Sequence, residues 1–277
     1  MSDYASSINK QYGQSDLNTN ILMALQHAGI NTDALTRDDL APLDEFHAGG
    51  REATRALATL AGLHSGLRVL DAGSGIGGPA RTLAAEFGCQ VTGIDLTEAF
   101  CHAAAMLTTR VGLSDRVTFR HASALAMPFD EGAFDVVWTQ NVVMNIEDKA
   151  GLLRECARVL RPGGRLVIAA IMAGEVAGLH FPVMWASQPA LNFLIPPDAF
   201  RHLVMSAGFK EVAWEDLTER ELEVSRARLA MVTEQGLPPL GTHVLVQEDV
   251  LEKIANNLRN VEEGRMRTMR AVFERTA

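Results

Sequence analysis

Two hydrophobic periods divide this chain. Over the first sixty residues apolar positions recur every three or four: Ile21, Leu22, Leu25 and Ile30 mark one helical stripe, and Ala53, Leu57, Leu60 and Ala61 a second. Between them Leu40–Gly50, punctuated by Pro42 and a glycine pair, reads as a loop. From residue 67 short β-rich runs alternate with amphipathic helices. Arg68–Asp71, Gln90–Asp95, Val117–Arg120, Phe134–Trp138 and Arg165–Ala170 read as strands, with helices running to Phe87, over Glu98–Val111 and over Lys149–Leu160. That alternation predicts an α/β protein with a doubly wound, mostly parallel sheet covered on both faces, its crossovers right-handed. Residues 174–196 form a loop-rich excursion, Pro197 opens a helix ending near Gly208, and Phe209–Trp214 is a sixth strand. Helical stretches over 216–236 and 247–262 follow, parted by Gly236–Gly241. Met266–Arg275 carries a helical stripe too, but it is read as a seventh, antiparallel strand, so the last helices are an insertion before it. The expected organisation is a helical N-terminal cap (1–60), a Rossmann-like core (61–215) and a C-terminal addition (216–277).

Composition narrows the function. The chain has 277 residues, enough for one elaborated domain, and 25 basic against 34 acidic side chains give a net charge of −9. Nucleic-acid binding rests on clustered Lys and Arg and on stacking aromatics, so that balance and the few aromatics argue against it. The longest apolar run, Leu166–Ala173, is far short of the ~20 residues of a membrane span. The N-terminus has no basic segment leading into an apolar one, so a cytoplasmic protein is expected. Cys89, Cys101 and Cys156 are unclustered and read as small buried hydrophobes; the eight histidines show no i, i+4 pair, and no metal is expected.

The informative stretch is Val69-Leu70-Asp71-Ala72-Gly73-Ser74-Gly75-Ile76-Gly77-Gly78. Glycines at a strand-to-helix turn let the backbone bend sharply and approach a ligand, and the following helix points its amides at the same spot. Asp95 ends the next strand, where a carboxylate can accept both hydroxyls of a ribose. Gly73, Gly75 and Gly78 also satisfy the dinucleotide fingerprint, which alone is weak. Asp71 decides between the two readings. A carboxylate before the loop repels a pyrophosphate but suits a ligand with an ammonium group, as in S-adenosylmethionine.

Here the chain resembles the seven-strand Rossmann-like S-adenosylmethionine-dependent methyltransferases, over about residues 60–215, through its Asp-Ala-Gly-Ser-Gly-Ile-Gly-Gly loop, Gly93-Ile94-Asp95-Leu96, Phe134–Trp138 and Leu160–Leu166. The resemblance implies that Asp71, Gly73, Ser74 and Gly75 line the methionine moiety, Asp95 the ribose and Leu96 one adenine face. Ser123-Ala124 stands where the family often has an Asp-Ala pair facing adenine, so a hydroxyl replaces that carboxylate. Asp44–Thr54, Gln140 with Met144–Ile146, and Pro182–Leu194 resemble the small-molecule branch that includes sarcosine/dimethylglycine N-methyltransferases. Asn141 stands where that branch often shows His, and Val143 where polar residues are common.

Methyl transfer is an in-line displacement that needs a nucleophile held about 3 Å from the methyl carbon and water kept out. The acceptor belongs beyond the carboxyl ends of the strands, which brings in Gln140–Asn145, the 174–196 excursion and the N-terminal helices. Gln140 is read as a cofactor contact, and Asn141 and Asn145 either face the acceptor or are plain turn residues. His47 and His180 are the optional general bases, although a lone histidine is more often a satisfied surface or core residue. Tyr12 caps the cofactor or anchors the first helix, and Trp185 walls the acceptor pocket or packs beneath a lid. The leading expectation is transfer of a methyl group from S-adenosylmethionine to nitrogen or oxygen of a small metabolite, with a homo-oligomer left open. An NAD(P)-dependent oxidoreductase and a non-catalytic methyltransferase-like module are the alternatives.

Overall fold

The computed structural model describes residues 16–44, 49–245 and 249–276. Its strands are β1 (Arg68–Ala72), β2 (Gln90–Asp95), β3 (Val117–His121), β4 (Phe134–Gln140), β5 (Leu160–Ala173), β6 (Phe209–Asp216) and β7 (Met266–Arg275), in the order β3-β2-β1-β4-β5-β7-β6. β1, β2 and β3 pair in parallel, as do β4 and β5, while β7 runs antiparallel to both β5 and β6. Helices α1 (Leu17–His27), α2 (Arg37–Asp44) and α3 (Gly50–Leu60) precede the sheet. Between its strands come α4 (Gly78–Phe87), α5 (Glu98–Arg110), α6 (Lys149–Val159) and α7 (Pro197–Ser206), and α8 (Thr218–Gln235) and α9 (Val250–Glu262) are inserted before β7. The mostly parallel seven-stranded sheet, the helical cap and the insertion are as the sequence predicts. β7 resembled a helix because Ala271, Val272 and Phe273 are buried in succession, as in a strand covered on both faces. By their contacts the residues fall into two compact units, Met1–Pro128 with Leu237–Gln247 and Phe129–Gly236 with Glu248–Ala277.

In the first unit Leu17, Ile21 and Leu25 of α1 are buried against Leu40 and Leu43 of α2, Phe100, Ala103 and Leu107 of α5, and Leu240 and Val244. This corrects one sequence expectation, since Leu40–Asp44 is helix and not loop. Thr36 and Asp39 form a reciprocal cap at its start: the Thr36 backbone N–H donates to Asp39 Oδ2 at 2.8 Å and the Asp39 N–H to Thr36 Oγ1 at 3.3 Å. Burying Leu40 and Leu43 contributes about 3–6 kcal/mol together, which offsets the ~3 kcal/mol that Pro42 costs inside a helix. Glu86 of α4 ties the cap down. It accepts from Arg55 Nε at 2.6 Å and Nη2 at 2.9 Å, and from Arg37 Nη2 at 2.5 Å.

In the second unit the indole of Trp138 is fully buried in β4, and Trp214 meets Phe273 edge to face at 6.1 Å between ring centres. α6 begins at Asp148, whose Oδ1 accepts the Gly151 N–H at 2.7 Å. The 174–196 excursion is fastened by Asn260 of α9, which has no exposure. Its Oδ1 accepts the His180 backbone N–H at 2.8 Å, and its Nδ2 donates to the His180 carbonyl at 3.0 Å. No described helix is long and apolar enough to cross a membrane.

The guanidinium groups of Arg55 and Arg37 hold the Glu86 carboxyl down at about 2, from an ordinary value of 4.5. A carboxyl lowered in the folded state binds fewer protons than in the unfolded chain, so its contribution is complete above pH 4.5 and is lost as pH falls towards 2. Glu86→Gln is therefore expected to flatten the acid limb of unfolding free energy across that window, measured by denaturant titration at successive pH values. An unchanged slope would remove Glu86 from this role.

Candidate active site

The glycine loop follows β1, whose last four residues, Asp71 among them, are buried. Parallel pairing sets Asp71 beside Gly93 and Ala72 beside Ile94, so the loop emerges at the carboxyl end of β2. Its amides turn inward. The N–H groups of Gly73 and Ser74 both donate to the Ile94 carbonyl, at 2.8 and 2.9 Å, that of Gly77 to the Ser74 carbonyl at 2.8 Å, and that of Gly75 to Asp95 Oδ2 at 2.9 Å. A loop that cradles a pyrophosphate must leave such N–H groups for the anion. These four are engaged, and Pro79 removes another from the start of α4.

The glycines do different jobs. Gly75, at φ +53°, would point a Cβ into open space. A Cβ on Gly77 would lie 2.5 Å from Phe119 Cζ, and one on Gly78 2.0 Å from the Asp44 carbonyl oxygen. Gly77 and Gly78 thus serve packing inside the protein, and Gly75 faces the place a ligand would take.

Asp95 receives a backbone N–H on each oxygen, Thr97 on Oδ1 at 2.8 Å and Gly75 on Oδ2. The Thr97 hydroxyl is a third donor to it, against about four acceptor positions on a carboxylate. Burial pushes its carboxyl upward, opposed by the N–H bonds of Thr97 and Gly75 and by His121, though the residue keeps partial exposure. Ser74 is buried, and its Oγ has no hydrogen-bond partner among the described residues. Leu96 is half-buried on the first unit's core. Ser123 follows β3, its Oγ accepting the Leu125 N–H at 3.1 Å and its hydroxyl proton left for another acceptor. Ala124 beside it is half-buried. One end of β1 and β2 therefore gathers Asp71, Gly73, Ser74, Gly75, Asp95 and Leu96.

In the second unit Gln140 ends β4, its Oε1 accepting from Trp138 Nε1 at 3.1 Å. Asn141 is left-handed at φ +56°, a conformation that Asn tolerates better than other side chains bearing a Cβ. Asn145 closes a 3-10 turn over Val143–Asn145, with its N–H on the Val142 carbonyl at 2.9 Å. Trp185 is buried with Met144, Val183, Ala186, Val261 and Met266, its Nε1 donating to Asn192 Oδ1 at 3.0 Å. His180 Nε2 lies 2.8 Å from Glu263 Oε2. Beside His180 stand the Arg265 and Arg259 guanidinium groups, and the three together hold the Glu263 carboxyl down at about 2. Tyr12 and His47 lie outside the described residues.

Two features escaped the sequence reading. Lys149 is buried at the first position of α6, its Nζ donating to the Ile146 carbonyl at 2.7 Å and the Phe193 carbonyl at 2.6 Å. It clips the excursion to the turn after β4, where the Phe193 N–H also meets the Met144 carbonyl at 3.1 Å. Burial lowers its ammonium to about 8. A lysine at a helix N-terminus opposes the dipole, and that misplacement was the available signal. The second is the Asp44–Arg81 ion pair, described below. The three cysteines are buried, and desolvation pushes Cys89 to about 11 and Cys101 and Cys156 to about 12, so they stay protonated thiols. Among the described residues no three His, Cys, Asp or Glu side chains group to hold a metal ion.

A methyltransferase-domain family model matches residues 70–168, the stretch holding this loop, Asp95 and β4. The chain is 33% identical over 213 residues to methyltransferase GfsG of Streptomyces halstedii, covering 77% of this chain and 72% of that protein. It belongs to the S-adenosylmethionine-dependent methyltransferases. The 27-O-demethylrifamycin SV methyltransferase of Amycolatopsis mediterranei is 37% identical over 185 residues, 66% of this chain and 67% of its own. The sarcosine/dimethylglycine N-methyltransferase of Halorhodospira halochloris is 29% identical over 227 residues, 81% and 78%. The structure of Haemonchus contortus phosphoethanolamine N-methyltransferase 2 with S-adenosyl-L-methionine superposes with a TM-score of 0.73 at 21% identity, over all of this chain and 61% of that one, and shows the shared fold.

The cofactor of this methyltransferase is S-adenosylmethionine. The residues present fit it. The open space at Gly75, the unsatisfied Ser74 hydroxyl and the remaining acceptor capacity of Asp95 are features that a sugar hydroxyl and an amino-acid moiety complete. Gly75→Ala, whose Cβ meets nothing in the protein, should lower stability only by the strain of a left-handed residue, about 1–3 kcal/mol, yet weaken binding of S-adenosylhomocysteine more than tenfold in calorimetric titration. Asp95→Ala should weaken that binding more than tenfold, about 1.4 kcal/mol or more. Wild-type affinity in both variants would contradict the placement.

Proposed function

We propose that this methyltransferase moves the methyl group of S-adenosylmethionine to a hydroxyl oxygen, or an uncharged nitrogen, of a small apolar-bodied metabolite. Asp95 carries the proposal on the cofactor side: held in place by the N–H groups of Gly75 and Thr97, its carboxylate accepts from the ribose hydroxyls. Asp71, with Gly73, Ser74 and Gly75, receives the methionine moiety, Leu96 and Ala124 flank adenine, and the Ser123 hydroxyl proton is directed at a ring nitrogen. Bound there, the cofactor supplies a methyl carbon on a positively charged sulfur. The protein's part is to hold the acceptor oxygen in line with the departing sulfur and to exclude water. The new bond forms from the acceptor's lone pair, the carbon–sulfur pair leaves with sulfur, and the acceptor's proton departs to solvent or to a base. His180 is the proposed optional base, with Glu263 orienting its ring as a base-orienting acid does.

Residues 174–196 hold one charged side chain, Glu175, and no Lys or Arg. Sarcosine, in the name of the Halorhodospira relative, carries a carboxylate that needs a cationic partner when bound away from water. This excursion supplies none, and its Phe181, Met184, Leu191 and Leu194 pack partly buried against the cluster that holds Met144. The more identical rifamycin relative is named for an oxygen acceptor.

Incubation with labelled S-adenosylmethionine should transfer label to hydroxylated apolar compounds, such as a phenol or a polyketide alcohol, and none to sarcosine or dimethylglycine. Comparable transfer to sarcosine would contradict the neutral-acceptor reading.

A further inference from the structure

Arg81 lies in the first turn of α4 and has no exposure, an unfavourable place for a cation at a helix N-terminus. All five of its N–H donors are engaged. Nε donates to Asp44 Oδ2 at 3.3 Å and Nη2 to Asp44 Oδ1. Nη2 also donates to the Ile76 carbonyl at 2.8 Å, and Nη1 to the Ala104 carbonyl at 3.3 Å and Thr108 Oγ1 at 3.0 Å. One planar group thus fixes the glycine loop, α5 and the end of α2. Stability is a poor reason for such an arrangement, since apolar side chains of like volume commonly replace buried ion pairs without loss. A guanidinium does what an apolar chain cannot, which is to fix the direction of a particular carbonyl.

That carbonyl belongs to Ile76, between Gly75, whose N–H meets Asp95, and Gly77, whose φ is +86°. The rest of the turn is clamped by the same pair. A Cβ on Gly77 would sit 2.9 Å from Arg81 Nη1, and Gly78 rests against the Asp44 carbonyl. The Arg81 backbone N–H closes the turn on the Gly77 carbonyl at 3.0 Å. With the Ile76 carbonyl released, the Ile76–Gly77 peptide is free to rotate, its N–H leaves the Ser74 carbonyl, and the Ser74–Gly75 peptide no longer holds its N–H on Asp95 before a ligand arrives.

We propose that the buried Asp44–Arg81 pair is the positioning device of the cofactor loop, setting affinity for S-adenosylmethionine through the Ile76 carbonyl without touching the cofactor. The inference rests on the cofactor placement given above. Arg81→Met removes every side-chain bond at similar volume. Arg81→Lys keeps the charge but cannot hold Asp44, the loop and α5 together, and Asp44→Asn keeps the shape while removing the counter-charge.

The test is titration of each variant with S-adenosylhomocysteine well below its own melting temperature, with amide exchange at Gly75 and Gly77 followed in the ligand-free protein. The expected result is a Kd raised about tenfold or more in Arg81→Met and Arg81→Lys, less in Asp44→Asn, with faster exchange at Gly75. A variant that only melts earlier, with Kd and Gly75 exchange at wild-type values, would overturn it by showing the pair to be structural alone. If Arg81→Met does not fold, Arg81→Lys decides. Failure of wild type to bind would count against the cofactor placement instead, and the Gly75 exchange rate in Arg81→Lys would still decide the role of the pair.

Discussion

Two backbone N–H groups, those of Gly75 and Thr97, converge on the Asp95 carboxylate, and the cofactor side of the protein depends on that convergence. A carboxylate at the end of a parallel strand would be costly to bury alone. The turn before α4 gives it the Gly75 N–H and the turn before α5 the N–H and hydroxyl of Thr97, so it stays in place as an acceptor. The same bonds draw the glycine loop over the end of β2, where the Ile94 carbonyl takes the next two amides. The loop's geometry is set by the protein's own acceptors rather than by an anion. This separates it from a dinucleotide loop with the same glycine spacing.

Around that point the apolar core and the buried polar bonds divide the work. Leucine and alanine stripes on α1, α2 and α5 supply the non-directional part of the stabilisation. Direction comes from a few satisfied polar groups: Arg81 on the loop, Asn260 on the excursion and Lys149 on the turn after β4. Each is buried, and each holds a backbone carbonyl or amide that hydrophobic packing would leave free to turn. A transfer reaction that works by alignment needs this kind of support, because a misplaced loop costs rate without costing the fold.

Strand and helix periods, the glycine loop and the acid at the end of the second strand were legible in the sequence because each has a local cause. The seventh strand was legible by topology more than by pattern. Helix α2 was missed because Pro42 and the glycine pair outweighed Leu40 and Leu43, although Thr36 and Asp39 already spelled a capping box. What Arg81, Asn260 and Lys149 bind was illegible for a different reason. Their partners, Asp44, His180 and Phe193, lie 37, 80 and 44 residues away, and no local pattern encodes such a pairing. Trp185 shows the converse: a conspicuous residue whose indole N–H is committed to Asn192 within a buried cluster.

The acidic net charge of −9 fits an enzyme that handles a cationic cofactor. The central claim is that the loop is built for a nucleoside bearing an amino acid and not for a pyrophosphate. The most direct test is calorimetric titration of the wild-type protein with S-adenosylhomocysteine and, separately, with NADH and NADPH under the same conditions. One equivalent of S-adenosylhomocysteine bound per chain, with no heat from either nicotinamide cofactor, is the predicted result. Stoichiometric binding of NADH or NADPH that S-adenosylhomocysteine fails to displace would contradict it.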